Sequence, residues 1–139
     1  MKKKILSILL IIVMGLIFIL SACNASISSM QSQIILDLIK DYIPVSMFML
    51  RKFAHYMIYF ILGTVIYLLS KSYKVSFIVF SLYAIFDEIH QYFVPGRSCE
   101  LRDMMIDICG GVTALIVIKI ISYGREVYVK RTKNDATND

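Results

Sequence analysis

Its 139 residues contain no long polar stretch, and that absence is the first constraint on what the chain can be. A soluble fold of this size needs a polar surface. This chain is 58% hydrophobic with a mean hydropathy of +0.72, which matches the membrane class and a single domain over residues 1–139. There is no CxxC pair and no metal-finger spacing among Cys23, Cys99 and Cys109. A Cys99 to Cys109 disulfide requires an oxidising compartment; Cys109 lies in an apolar run and reads as a small packing residue. No internal repeat is visible. The chain also lacks an HExxH motif, a nucleophile-elbow serine and a phosphate-cradling glycine loop, which removes the common zinc-hydrolase, serine-hydrolase and nucleotide-binding readings. A net charge of +5 suggests nucleic acid at first sight. The basic residues instead cluster at Lys2 to Lys4 and from Arg125 to Lys133, flanking apolar runs, and their counter-charge is the lipid headgroup.

What is present is a set of apolar runs. A bilayer core about 30 Å thick requires about 20 apolar residues in helix. Four runs are predicted to span: Ile5 to Ala22, Phe53 to Ser70, Val75 to Val94 and Met104 to Ser122. The fold class expected is therefore an all-α integral membrane bundle of four transmembrane helices. Between the first and second spans, Ile34, Ile35, Leu38, Ile39, Tyr42 and Ile43 recur at helical spacing before Pro44. They predict a short helix in the interface, with Asp37, Lys40 and Asp41 towards water. Residues 125–139 form a tail, predicted disordered beyond Lys130.

If the spans alternate, Lys2, Lys3, Lys4, Lys71, Lys74, Arg125, Lys130, Arg131 and Lys133 share one side. Lys40, Arg51, Lys52, Arg97 and Arg102 take the other. The larger group marks the cytoplasmic side, so both termini are expected in the cytoplasm. The start also reads as a bacterial lipoprotein signal, because Lys2 to Lys4, an apolar run and Leu20-Ser21-Ala22-Cys23 resemble a lipobox. Lipidation at Cys23 after cleavage is the alternative to an uncleaved first span.

Polar residues concentrate in the stretch DEIHQYFVPGRSCELRDMMID, Asp87 to Asp107. Asp87 lies about 18 Å along its helix from Val75, which is within hydrocarbon depth. An ionised carboxylate there costs several kcal/mol unless paired or hydrated, so it marks a functional cavity. Asp87, His90 and Gln91 stand at i, i+3 and i+4 and are expected to share a face, with Glu88 on the flank. Asp103 and Asp107 stack one turn apart, and Arg51, His55 and Tyr59 repeat that spacing. Pro95-Gly96 turns the chain and holds Arg97 and Arg102 above the acids, where they neutralise them or hold a phosphate or carboxylate. Gly110, Gly111 and Ala114 permit close helix packing.

Lys52-Phe53-Ala54-His55, Tyr59, Leu62-Gly63, the run DEIHQYFVPGRS from Asp87 to Ser98, Arg102-Asp103, Asp107 and Gly110-Gly111 resemble the VanZ-like family of bacterial membrane proteins. The resemblance runs from roughly Leu16 to Ile121. It implies a small helical membrane protein of the cell envelope, and the family's founding member is associated with teicoplanin resistance. It brings no catalytic assignment. Ile58 stands where family members often carry a Glu, three residues after the His of the second helix. Ser21-Ala22-Cys23-Asn24-Ala25 replaces a Ser-Ser-Gln-Pro-Gly-like segment, which favours an uncleaved first helix.

Two functions fit these residues. In the first, Arg97 and Arg102, with His55 and Gln91, hold a lipid-linked or cell-wall substrate or a glycopeptide. Asp87, Glu88, His90, Asp103 and Asp107 are then the candidates for proton transfer. In the second, the protein binds a lipid or partner without chemistry, and the cluster is structural. No cofactor is expected: His and acid donors make a divalent metal conceivable, but no fixed-spacing motif favours one.

Overall fold

The computed structural model describes residues 2–135 and is all-helical, with no strand among the described residues. Five helices follow in order: α1 Lys2–Ala22, α2 Ala25–Ile39, α3 Met47–Ser70, α4 Tyr73–Tyr92 and α5 Leu101–Asp135. Side-chain caps start three of them. Asn24 accepts from the Ile27 amide at 2.9 Å, Ser46 from Met49 at 3.2 Å and Ser72 from Val75 at 3.4 Å. The Ser46 cap lets α3 begin six residues before the predicted span, so Arg51 and Lys52 are helical. Lys71 ends α3 in the left-handed region (φ 56), its amide donating to the Tyr67 carbonyl at 2.8 Å.

Three helices are long and apolar enough to cross a membrane: Lys2–Ala22, Met47–Ser70 and, within α5, Leu101–Asn134. The expected span on α4 is not among them. At 20 residues α4 is long enough, about 30 Å, but Asp87, Glu88, His90 and Gln91 crowd its last turns and lower its apolar content. The tail expected to be disordered beyond Lys130 instead continues α5 to Asp135; residues 136–139 lie outside the described residues. The predicted helix before Pro44 exists as α2 but ends at Ile39, leaving Tyr42 and Ile43 in the turn that follows. No residue of α2 is buried.

α3 packs most extensively against α5 and also meets α1 and α4. Gly110 makes the α3–α5 crossing close: a Cβ there would lie 3.1 Å from the Tyr56 carbonyl carbon and 3.2 Å from the Phe60 nitrogen. One apolar core, of Val13, Ile17, Tyr59, Leu62, Ile66, Phe80, Ala84 and Leu115, links four helices. Large side chains such as Ile11, Leu82 and Ile120 stay exposed on the outer faces, as lipid-facing residues do. Cys109 is among the exposed residues rather than a packing residue, and all three cysteines are free thiols.

Candidate functional site

Above that core, at the start of α3 and the end of α4, the buried residues become polar. Asp87, Glu88, Gln91 and Asp107 are all buried, and Asp107 is 0% exposed. His55 reaches across from α3, placing Nδ1 3.3 Å from Asp107 Oδ1. The approach is poorly aligned for a hydrogen bond, and among the described residues the Asp107 oxygens have no other donor. His55, Asp87 and Asp107 each present a ligand atom within 4.8 Å of the other two. One turn along α3 from His55, the hydroxyl of fully buried Tyr59 also has no partner among the described residues.

Gln91 connects this cluster to the loop. Its amide nitrogen donates to Asp87 Oδ2 at 3.1 Å and approaches Ser21 Oγ at 3.5 Å. Its amide oxygen accepts from Arg97 Nη1 at 3.1 Å. Arg97 donates through Nε to the Cys23 carbonyl at 3.2 Å and through Nη2 to the Leu20 carbonyl at 3.3 Å. The loop that carries Arg97 is thereby fastened to the end of α1.

Two cavities meet at a pair of arginines. The first, about 380 Å³, has apolar walls from Ile17, Leu20, Ile35 and Leu50, and His55, Arg51 and Arg97 also line it. The second, about 320 Å³, is more polar and is lined by Lys52, Gln91, Ser98, Glu100 and Asp103 as well as the same Arg51 and Arg97. Among the described residues neither arginine is ion-paired with a carboxylate. Burial, and then the neighbouring charge of Arg51, pulls the Arg97 guanidinium below its ordinary pKa. Two guanidinium groups near one another, beside an apolar wall, have the chemistry to hold an anionic group that carries an apolar tail.

Of the residues the sequence marks, Asp87, Asp107, His55, Gln91 and Arg97 come together, and four others are placed differently. Asp103 is ion-paired with Lys52 across α3 and α5. Glu88 is buried rather than on the flank, and its Oε2 accepts from the Glu100 amide at 2.9 Å, just before α5 begins, while Oε1 has no partner among the described residues. His90 leaves the cluster and stacks on Phe18 at 4.4 Å, with Phe86 at 6.5 Å. The buried positions Ala84, Asp87, Glu88 and Gln91 fill one sector of about 100°, and His90 lies about 110° from its centre, facing α1. Arg102 is exposed, pairs with Glu100 at 3.3 Å and lies over the Phe48 ring; these two partners line the second cavity, but Arg102 itself lines neither. Arg51, which the sequence places on one face with His55 and Tyr59 but not among the candidate binding residues, lines both cavities.

A family model described as VanZ/LLP1 matches residues 6–122, most of the chain and every residue of the cluster. No curated protein and no solved structure gives a match.

Proposed function

The chain belongs to the VanZ/LLP1 family, and from that premise we propose that it binds an anionic, lipid-linked component of the bacterial cell envelope and confers low-level tolerance to teicoplanin-like glycopeptides. The observation that carries this reading is the pair Arg51 and Arg97 at the junction of an apolar and a polar cavity. A lipid tail suits the wall of Ile17, Leu20, Ile35 and Leu50, and a phosphate or carboxylate suits the two guanidinium groups. In this reading the protein sits in the cytoplasmic membrane with α1, α3, α4 and α5 as spans, α2 in the interface and both termini cytoplasmic. The uneven Lys and Arg distribution supports that orientation, which turns the cavities outward. A burial sector on α4 that faces its neighbours along the whole helix supports its insertion despite its polar end.

A second reading, a membrane interaction protein with a structural polar network, has its own support. Arg97 directs its three bonded nitrogens at the protein itself, and Glu88 caps the segment before α5.

The test is expression in a susceptible Gram-positive host with teicoplanin tolerance as the readout. The parent is expected to raise tolerance modestly, and Arg51→Gln, which breaks no bond of the fold, is expected to lose it while accumulating normally. Equal protection by parent and variant removes the anion-binding reading.

A further inference from the structure

Anion binding at Arg51 and Arg97 leaves one feature unexplained, the cluster of His55, Asp87 and Asp107. Asp87 is 2% exposed and Asp107 0%, and among the described residues neither is ion-paired with a Lys or Arg. Two carboxyl groups removed from solvent at membrane depth are ionised only against a counter-charge and are otherwise neutralised by a proton. His55 alone offers at most one positive charge, and its Nδ1 stands 3.3 Å from Asp107 without the alignment of a hydrogen bond. Among the described residues the wholly enclosed Asp107 oxygens have no well-aligned donor, and the His55 contact is made at Oδ1. Such an enclosed, unpartnered carboxylate beside a second carboxylate and an imidazole suits a cation.

The geometry agrees. The three ligand atoms lie within 4.8 Å of one another, one from each of α3, α4 and α5. Ligands about 2.0–2.2 Å from a shared ion are themselves about 3–4 Å apart, so side-chain adjustments of under about 1 Å close the set. One imidazole nitrogen with two carboxylates also balances a double positive charge. We propose that His55, Asp87 and Asp107 hold one divalent transition-metal ion of mixed nitrogen and oxygen preference, such as manganese or zinc. Magnesium and calcium are disfavoured by the imidazole. Gln91 is then the outer partner that orients the Asp87 carboxylate through its 3.1 Å bond. Because the three donors sit on separate helices, no local spacing in the sequence marks them.

Cation binding can be read without any activity, and so stands or falls apart from glycopeptide tolerance. Chelator-stripped protein, purified in detergent with Cys23, Cys99 and Cys109 replaced by serine to remove thiol binding, is titrated with Mn²⁺ alone and with Zn²⁺ alone. The expected result is saturation near one ion per chain for at least one of the two metals. His55→Gln and Asp107→Asn should each weaken it at least roughly tenfold, the loss that even an outer-partner mutation causes. Glu126→Gln, at an exposed acid on the far part of α5, should leave it unchanged. No saturable binding of either metal, or parental affinity in His55→Gln, overturns the proposal. His55 is partly exposed, so His55→Gln is the milder change and decides the matter if Asp107→Asn does not accumulate.

Discussion

Gly110 of α5 faces the main chain of Tyr56 in α3, so close that a methyl group on Gly110 would strike the Tyr56 carbonyl. Backbone cannot move aside as a side chain can. Gly110→Ala is therefore expected to lower stability by about 1–3 kcal/mol or more, the cost of overpacking. Gly124→Ala is the control, since nothing lies within 4 Å of a Cβ there and the change favours the helix by about 0.5–1 kcal/mol. Thermal unfolding of both variants in detergent should move in opposite directions; a shared direction would show that the crossing tolerates the methyl.

The Lys52 to Asp103 ion pair is the polar tie across the same two helices, with side chains 18% and 16% exposed. Removing one partner leaves a partly buried charge unmatched. A double-mutant cycle with Lys52→Met and Asp103→Asn should give a coupling of about 1–3 kcal/mol, well above that of an exposed pair. The pair Lys40 and Asp37, 57% and 52% exposed, serves as the comparison and should couple by under about 0.5 kcal/mol.

The helical class and the positions of all the long apolar helices were legible, because runs of about 20 apolar residues leave the backbone no other way to satisfy its hydrogen bonds. Their ends were less so. α3 begins at a serine cap that lies outside the hydrophobic run, and α5 continues past it into a charged segment. Rows on one helix were read correctly where i and i+4 decide them: Asp87 with Gln91, and His55 below Arg51. Which neighbour each row meets depends on helix rotation, and that is set by packing the sequence does not display. His90 against Phe18, Asp103 against Lys52 and Arg102 over Phe48 all follow from rotation.

Topology gives a direct check on orientation. With Cys23 and Cys109 replaced by serine, exposed Cys99 in the loop before α5 should react with a membrane-impermeant maleimide added to intact cells. Thr132→Cys, near the other end of α5 in a chain also lacking Cys99, should react only after lysis. Labelling of residue 132 in intact cells would reverse the assigned orientation.

Cys23 should carry no lipid in the mature protein. Cleavage before it would remove α1, which supplies Val13 and Ile17 to the core and the Met14 carbonyl that accepts from Tyr83 at 2.7 Å. It would also remove the Leu20 carbonyl bonded by Arg97. Intact-mass spectrometry of membrane-extracted protein should find α1 present, and a diacylglycerol-bearing N-terminus at Cys23 would refute this.

Arg97 and Arg51 should separate structure from ligand binding, because the fold uses the first and leaves the second free. Arg97 sends three nitrogens to three acceptors, on Cys23, Leu20 and Gln91, in a fork that a single ammonium group cannot reproduce. Arg97→Lys retains the charge but loses at least two of these bonds, each about 1.5–3 kcal/mol for a charged donor when its partner is left unmatched. The loop and α1 should then loosen, with a lower melting temperature and a smaller amount of protein in the membrane. Arg51→Gln removes a cation that has no ion-pair partner among the described residues, so its stability should change by less than about 0.5 kcal/mol. Tolerance measured per unit of protein should consequently fall further for Arg51→Gln than for Arg97→Lys. If instead Arg97→Lys melts like the parent, the three-way tie from the loop to α1 does not hold the bundle together, and the structural weight given to Arg97 is wrong.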